Sequence, residues 1–262
     1  MGSKRKYCKY IVPIIQRYID EYSIDCFVDC FCGGANLADK IQCETVICND
    51  LSPSLIALHR QVQEDFSEIP TDGSREYWDK AYAEWKKIKA GMVNGQIPID
   101  FDFTMPLYEI GAIEWYASFS NGGFPRGYAK NNTTRNYYQE AYRNHKAQAE
   151  NNNYKKIKFI QGDYRDVEML DTLDNTKNIL LYADSPYKGT KSYAIDNKFD
   201  FEAYYEWLKH ISTIFPIFVS EQSLPEEFDK YIVWSKDDVK RTSGADNNYK
   251  ACEKLWLIDR RK

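Results

Sequence analysis

Apolar positions along the chain follow two rhythms. From about Lys6 to Glu21 they recur at helical period, with Tyr10, Ile14 and Tyr18 on one side, which predicts an amphipathic helix. Cys26 to Phe31 is a dense run of apolar and β-branched residues closed by Gly33-Gly34. Thr45 to Cys48 is a second such run; it ends at Asn49-Asp50 and is followed by Ser52-Pro53, a helix-start signal. The two segments read as strand, glycine turn, helix and then strand, acidic tip, helix.

At about Phe66 the rhythm changes. The stretch to Tyr154 is helical, aromatic and Asn-rich, with Gly and Pro clustered at Asn121 to Gly127 and a polar run at Asn151 to Asn153. Short apolar runs return at Ile157–Ile160, Ile179–Ala183, Pro216–Ser220, Tyr231–Trp234 and Leu255–Ile258, with a helical segment at about Phe201–Ile214. Alternating strands and helices predict an α/β fold, a mostly parallel sheet covered on both faces. The expected division is an α/β part made of 1–65 and 156–262, interrupted by a mainly helical insertion at 66–155.

Composition narrows the class. At 262 residues, 43% apolar and 28% charged, the chain suits one large domain or a domain with an insertion. A net charge of −4 argues against coating nucleic acid by bulk electrostatics, so any such face must be local. Between Phe124 and Ile160 eight basic residues (Arg126, Lys130, Arg135, Arg143, Lys146, Lys155, Lys156, Lys158) face Glu140 and Glu150. Aromatic residues make up 15%, 21 of them Tyr, rings that can pack on one edge and hydrogen-bond at the other.

Seven cysteines, mostly in strand-like runs, fit a reduced interior. Cys30-x-Cys32 lacks the gap of a zinc hook, so no metal is expected. The apolar part of the N-terminal segment stops at Gln16-Arg17, and Lys6 stands where a myristoylation signal needs Ser or Thr. No run approaches membrane-spanning length. A cytoplasmic protein without a membrane partner is expected, as a monomer or weak dimer. GxxxxGK and HExxH are both absent.

In an open parallel sheet, ligands bind at the carboxyl ends of the strands. Asp29 with Gly33-Gly34, Asp50, Asp163 and Asp184 each fall just past an apolar run. A carboxylate at the second tip is the usual partner of ribose hydroxyls, and glycines let backbone approach a ligand closely. The sharpest signal is Asp184-Ser185-Pro186-Tyr187 after Ile179–Ala183. An exocyclic adenine amine is a weak nucleophile because its lone pair is delocalised. Asp184 suits the acceptor such an amine needs, a stiff turn can aim a carbonyl at its second hydrogen, and Tyr187 can stack on an extruded base.

With these residues the sequence resembles the Dam-like, D12 class N6-adenine-specific DNA methyltransferases, the phage and prophage type above all. Asp184 to Tyr187 match that family's D-P-P-Y, and Asp29, Phe31, Gly33 and Gly34 its donor-binding segment. Gly2-Ser3-Lys4 matches the N-terminal donor motif, Asp50-Leu51 the ribose-binding segment, and Gly162-Asp163-Tyr164 the segment beside the donor's adenine. Phe124 to Ala129 and Glu253-Lys254-Leu255 are similar to family segments too. There are departures: Ser185 replaces the first Pro, and Ala35 stands where a second spaced Gly is usual.

The resemblance implies a Rossmann-like sheet with an antiparallel strand near the C-terminus. It implies S-adenosylmethionine as methyl donor, held by Lys4, Asp29, Phe31, Gly33, Gly34, Asp50, Leu51, Asp163, Tyr164 and Asp184, without a metal. The target would be a flipped adenine in double-stranded DNA, held by Asp184, Ser185, Pro186 and Tyr187. The insertion would read DNA through Arg126, Lys130, Arg135, Arg143, Tyr137 and Tyr138, and the polar loop 188–198 could close over the base. The setting implied is a bacterial or phage-infected cell, in phage self-protection, restriction-modification or regulation. Two other readings stay open: the same fold acting on RNA adenine or a protein glutamine, and a DNA-binding homologue with weakened catalysis.

Overall fold

The computed structural model describes residues 4–93, 96–98, 101–129, 136–169, 178–187, 199–241 and 248–261, with side chains for all of these except 120, 168, 169, 238–241 and 248–251. After a 3-10 turn at Lys4–Lys6 come α1 (Cys8–Glu21), β1 (Cys26–Asp29), β2 (Thr45–Asp50) and α2 (Pro53–Glu64). Next come α3 (Arg75–Gly91), α4 (Leu107–Tyr116) and α5 (Tyr137–Ala149). β3 (Lys158–Gln161), β4 (Ile179–Ala183), α6 (Phe201–Ile211), β5 (Ile217–Glu221), β6 (Ile232–Arg241) and β7 (Asn248–Ile258) follow.

The strands form one sheet in the order β3-β2-β1-β4-β5-β7-β6. β1 through β5 pair in parallel, and β7 runs antiparallel between β5 and β6. This is the α/β, mostly parallel sheet with an antiparallel C-terminal strand that the sequence led us to expect. The order reverses between β1 and β4, which opens a crevice beyond their carboxyl ends.

Burial explains why the central strands read as continuous apolar runs: β1, β4 and β5 are buried at every position. Alternate residues supply two cores, one on each face. Phe27, Leu180, Tyr182 and Phe218 join α1 and α2 on one face. Val28, Ile179, Leu181, Ala183, Ile217 and Val219 join α6 on the other.

The helices begin at polar caps. Ser52 Oγ accepts the Leu55 amide at α2, Ser74 Oγ the Tyr77 amide at α3, Asn136 Oδ1 the Gln139 amide at α5, and Asp200 Oδ1 the Ala203 amide at α6. In α1 the buried stripe is Ile11, Ile15 and Ile19. Tyr10, Ile14 and Tyr18 flank it half-buried, on the shoulder of the stripe rather than its centre.

α3, α4 and α5 pack onto the first core face. α4 is buried from Ile110 through Tyr116 and lies along α2 so closely that a Cβ on Gly111 would stand 2.1 Å from the Ser54 carbonyl oxygen. Trp78, Trp85, Ile113, Tyr116 and Tyr138 belong to the same cluster as Phe27 and Leu55. β6 and β7 outrun the short apolar segments visible in sequence. Their outer halves pair with each other beyond the sheet and carry polar residues such as Ser235, Lys236 and Asp237.

Candidate functional site

The tips of β1, β2 and β4 bring three carboxylates together. Asp29 lies opposite Cys48 on β2 and Tyr182 on β4, two residues short of Asp184. It is buried, and its pKa is held well above the ordinary carboxylate value, first by burial and then by the charges of Asp184 and Asp50; the Phe31 amide donating to Oδ1 at 3.3 Å opposes this.

The loop after β1 is folded for close approach. Gly33 has φ +48°, a conformation glycine takes freely, and its amide donates to Asp50 Oδ2 at 3.0 Å. Ala35, in place of the expected glycine, also has positive φ (51°) and is held there fully buried. Asp50 Oδ1 accepts the Ser52 amide at 2.9 Å, yet burial still raises its pKa. Gly34 offers its carbonyl to Gln148 Nε2 of α5 at 3.0 Å.

Two side chains not anticipated from sequence fasten these tips. Asn49, buried, donates through Nδ2 to the carbonyls of Cys30 (3.2 Å) and Gly162 (3.1 Å), joining the ends of β1 and β3 through β2. His59, fully buried on α2, lies 2.8 Å from the Gly33 carbonyl through Nε2 and 2.7 Å from the Tyr154 hydroxyl through Nδ1. The carbonyl can only accept, so Nε2 carries the proton and Nδ1 accepts from Tyr154. Burial pulls the His59 pKa down to about 4.

Beyond β3, Asp163 is paired with Arg165 at 2.8 Å, and Leu51 accepts a hydrogen bond from Gln161. Tyr164 packs against Phe31 with ring centroids 5.0 Å apart, beside Phe199 and Trp207. This aromatic wall closes the second core face under the β1 loop.

On the other side of the crevice, Lys4 is buried and meets two carboxylates, Asp184 Oδ1 at 3.0 Å and Glu253 Oε1 at 2.5 Å. Burial alone would lower the Lys4 pKa; the charges of Asp184 and Glu253 outweigh it and leave it raised. Its ammonium sits 4.4 Å from the centroid of the Tyr187 ring. Tyr187 donates its hydroxyl to Glu253 Oε1 at 2.7 Å, and Ser220 Oγ donates to the same oxygen at 3.3 Å. Ser185 is buried beneath the turn, with Pro186 partly exposed beside it. The structure thus brings Lys4, Asp29, Gly33, Asp50 and the Asp184–Tyr187 turn to one end of the sheet. Glu253 stands apart from these in sequence, on β7.

The three tip carboxylates and the Lys4 ammonium leave this end of the sheet negative, a fit for a ligand carrying a sulfonium and an ammonium.

The expected DNA-reading residues divide. Arg126 and Arg143 are exposed and Tyr137 is half-buried against Phe119. Tyr138 corrects the sequence reading: it is 2% exposed, packs on Tyr116 and donates its hydroxyl to the Pro70 carbonyl, so its ring is core and has no face for a base. Lys130, Arg135 and the loop 188–198 lie outside the described residues, as do Gly2 and Ser3.

Sequence reading also passed over Phe119, a 43% exposed ring. It begins a tight hairpin in which its amide reaches the Gly127 carbonyl and Ala129 reaches Ala117. Arg126 folds back across Gly122 on this hairpin, and Phe124 anchors it among Trp78, Tyr82 and Trp85.

Among solved structures, the rRNA methyltransferase aviRa from Streptomyces viridochromogenes is similar at TM-score 0.39 and 11% identity, covering 98% of this chain and 86% of that one. A second structure of it gives TM-score 0.35 and 10% identity over 93% and 84%. No curated protein sequence matches the chain. A family model does, over residues 1–222, and by that match the chain belongs to the D12 class N6 adenine-specific DNA methyltransferases.

Proposed function

We propose that this S-adenosylmethionine-dependent methyltransferase methylates the N6 amine of an adenine flipped out of double-stranded DNA, within a specific sequence. The observation that carries the reading is the meeting of Asp29 and Asp184 at adjacent strand tips, each within the other's electrostatic reach, with Lys4 bound to Asp184. The donor would lie over Asp29, Phe31, Gly33, Gly34, Asp50 and Leu51, with Asp163 and Tyr164 beside its adenine and Lys4 at its other end. S-adenosylmethionine supplies an electrophilic methyl group next to Asp184.

The chain's own work is to present the amine. Asp184 accepts one amino hydrogen, a carbonyl of the Ser185-Pro186 turn takes the other, and the Tyr187 ring stacks on the base. Held this way, the nitrogen lone pair is aimed along the line of transfer. As the new N–C bond forms, the donor's S–CH3 bond would break with its electron pair going to sulfur, and one amino proton leaves to Asp184 or to solvent. The exposed Phe119 and Arg126 on one hairpin, with Arg143 exposed on α5, support a DNA face on the 66–155 insertion.

The test offers unmethylated duplex DNA, RNA and protein side by side with labelled S-adenosylmethionine, and analyses products by nucleoside and peptide mass spectrometry. N6-methyldeoxyadenosine is the expected product. Label in RNA adenine or protein glutamine alone would overturn the reading.

A further inference from the structure

Glu253 lies beyond the residues the family model matches, on the one antiparallel strand of the sheet. Its carboxylate is 1% exposed, and a single oxygen, Oε1, receives Lys4 Nζ (2.5 Å), the Tyr187 hydroxyl (2.7 Å) and Ser220 Oγ (3.3 Å). Oε2 is buried with no hydrogen-bond partner. A buried carboxylate is costly unless it is paired and hydrogen-bonded, and here all the pairing falls on one oxygen. Two of its three contacts are groups that also touch or adjoin Asp184: Lys4 bonds it at 3.0 Å, and Tyr187 closes the same turn.

One ammonium shared by two carboxylates neutralises neither. With Glu253 taking part of the Lys4 charge at the shorter distance, the triad keeps a net negative charge, and Asp184 is the member at the crevice, 19% exposed against 1% for the Glu253 side chain. Without Glu253, Lys4 would pair with Asp184 alone and weaken it as an acceptor for an amine. The Tyr187 ring would lose the contact that fixes its hydroxyl.

We propose that Glu253 is a positioning residue for methyl transfer: it shares the Lys4 ammonium with Asp184 and clamps Tyr187, so that Lys4 offsets only part of the Asp184 charge presented to the target amine. This rests on the adenine-methylating reading above. The titratable groups that feel the Asp184 charge come from every side: Lys4 and Cys8 from the N-terminal segment, Asp29 from β1, Tyr182 from β4 and Tyr204 from α6. Glu253 reaches it through Lys4.

The test uses the full chain, single-turnover methylation of unmethylated duplex DNA as a function of pH, and calorimetric binding of S-adenosylmethionine. Glu253→Gln keeps the shape and an acceptor for Tyr187 but removes the charge. It is expected to slow transfer about tenfold or more, to leave donor affinity within about threefold, and to move the acid limb of the rate profile to lower pH, because Asp184 then ionises beside an uncontested Lys4. Tyr187→Phe, which removes the hydroxyl alone, is expected to slow transfer without moving that limb.

A wild-type rate and profile in Glu253→Gln would overturn the proposal. So would a rate loss matched by an equal loss of donor affinity and melting temperature with the limb in place, the mark of a purely structural residue. If the wild-type enzyme methylates RNA or protein instead of DNA, the reading of the target falls; the same profiles are then measured on that acceptor, and Glu253 is judged there by the same outcomes.

Discussion

The Gly33 amide donates to the Asp50 carboxylate across 3.0 Å, so the loop after β1 is fastened to the tip of β2 rather than to its own strand. Asp50→Ala leaves that amide and the Ser52 amide without their acceptor. Loss of charged hydrogen bonds of this kind costs about 1–3 kcal/mol. We expect donor affinity to fall about tenfold or more, read by calorimetry, with a smaller fall in melting temperature.

Asp184→Asn retains size and one acceptor oxygen but removes the charge that pairs with Lys4. Transfer is expected to slow about a hundredfold or more. Donor binding is expected to persist, since Asp29 and Asp50 remain in place. Single-turnover rates beside calorimetry check both parts, and a variant that methylates DNA at the wild-type rate would remove Asp184 from the chemistry.

Three buried titratable groups give stability a maximum near neutral pH. His59 is pulled down to about 4 by burial, and His145 to about 3 by burial and the charge of His59. Below about pH 6.5 the unfolded chain takes up protons at both rings that the folded chain refuses, so stability falls toward pH 4 at about 1.4 kcal/mol per unit for each ring. Glu114, fully buried on α4 and bonded by Ser54 Oγ at 2.7 Å, is pushed up to about 8, chiefly by burial. It holds a proton the unfolded chain has lost, so its contribution declines from about pH 4.5 up to 8. Urea unfolding against pH should show both limbs, and Glu114→Gln should flatten the alkaline one and steepen the acid one between about pH 4.5 and 6.5, where the Glu114 and histidine slopes oppose each other.

Arg126 and Arg143 are exposed on the insertion. If both meet phosphates, the double change to Gln should weaken binding to duplex DNA and reduce the slope of log affinity against log salt by about 2. Donor affinity should stay as it is. An unchanged slope would move the DNA face elsewhere.

The parts of this site that were legible in sequence share one property: each ends an apolar run. Asp29, Asp50 and Asp184 could be placed at strand tips because fully buried parallel strands leave unmistakable hydrophobic segments, and the acid follows each one directly. Glu253 was visible in sequence only within the family-like segment Glu253-Lys254-Leu255; its contacts were not. It sits in the half of β7 where polar residues alternate, and its neighbours Lys4, Tyr187 and Ser220 come from three distant segments. Tyr137 and Tyr138 are adjacent rings that composition cannot tell apart; the start of α5 at Asn136 sets the phase that turns one outward and buries the other. Asn49 looked like part of an acidic tip, and only its two carbonyl partners reveal it as the tie between β1 and β3.

The position of β7 has a temporal consequence. It follows every other strand in the sequence yet slots between β5 and β6, so a ribosome must deliver both of those strands before the gap between them can be filled. Lys4, which precedes every described strand, waits for Glu253 on the last of them. Until that late segment docks, the first parallel strands can pair while the Lys4 ammonium still lacks its Glu253 counter-ion.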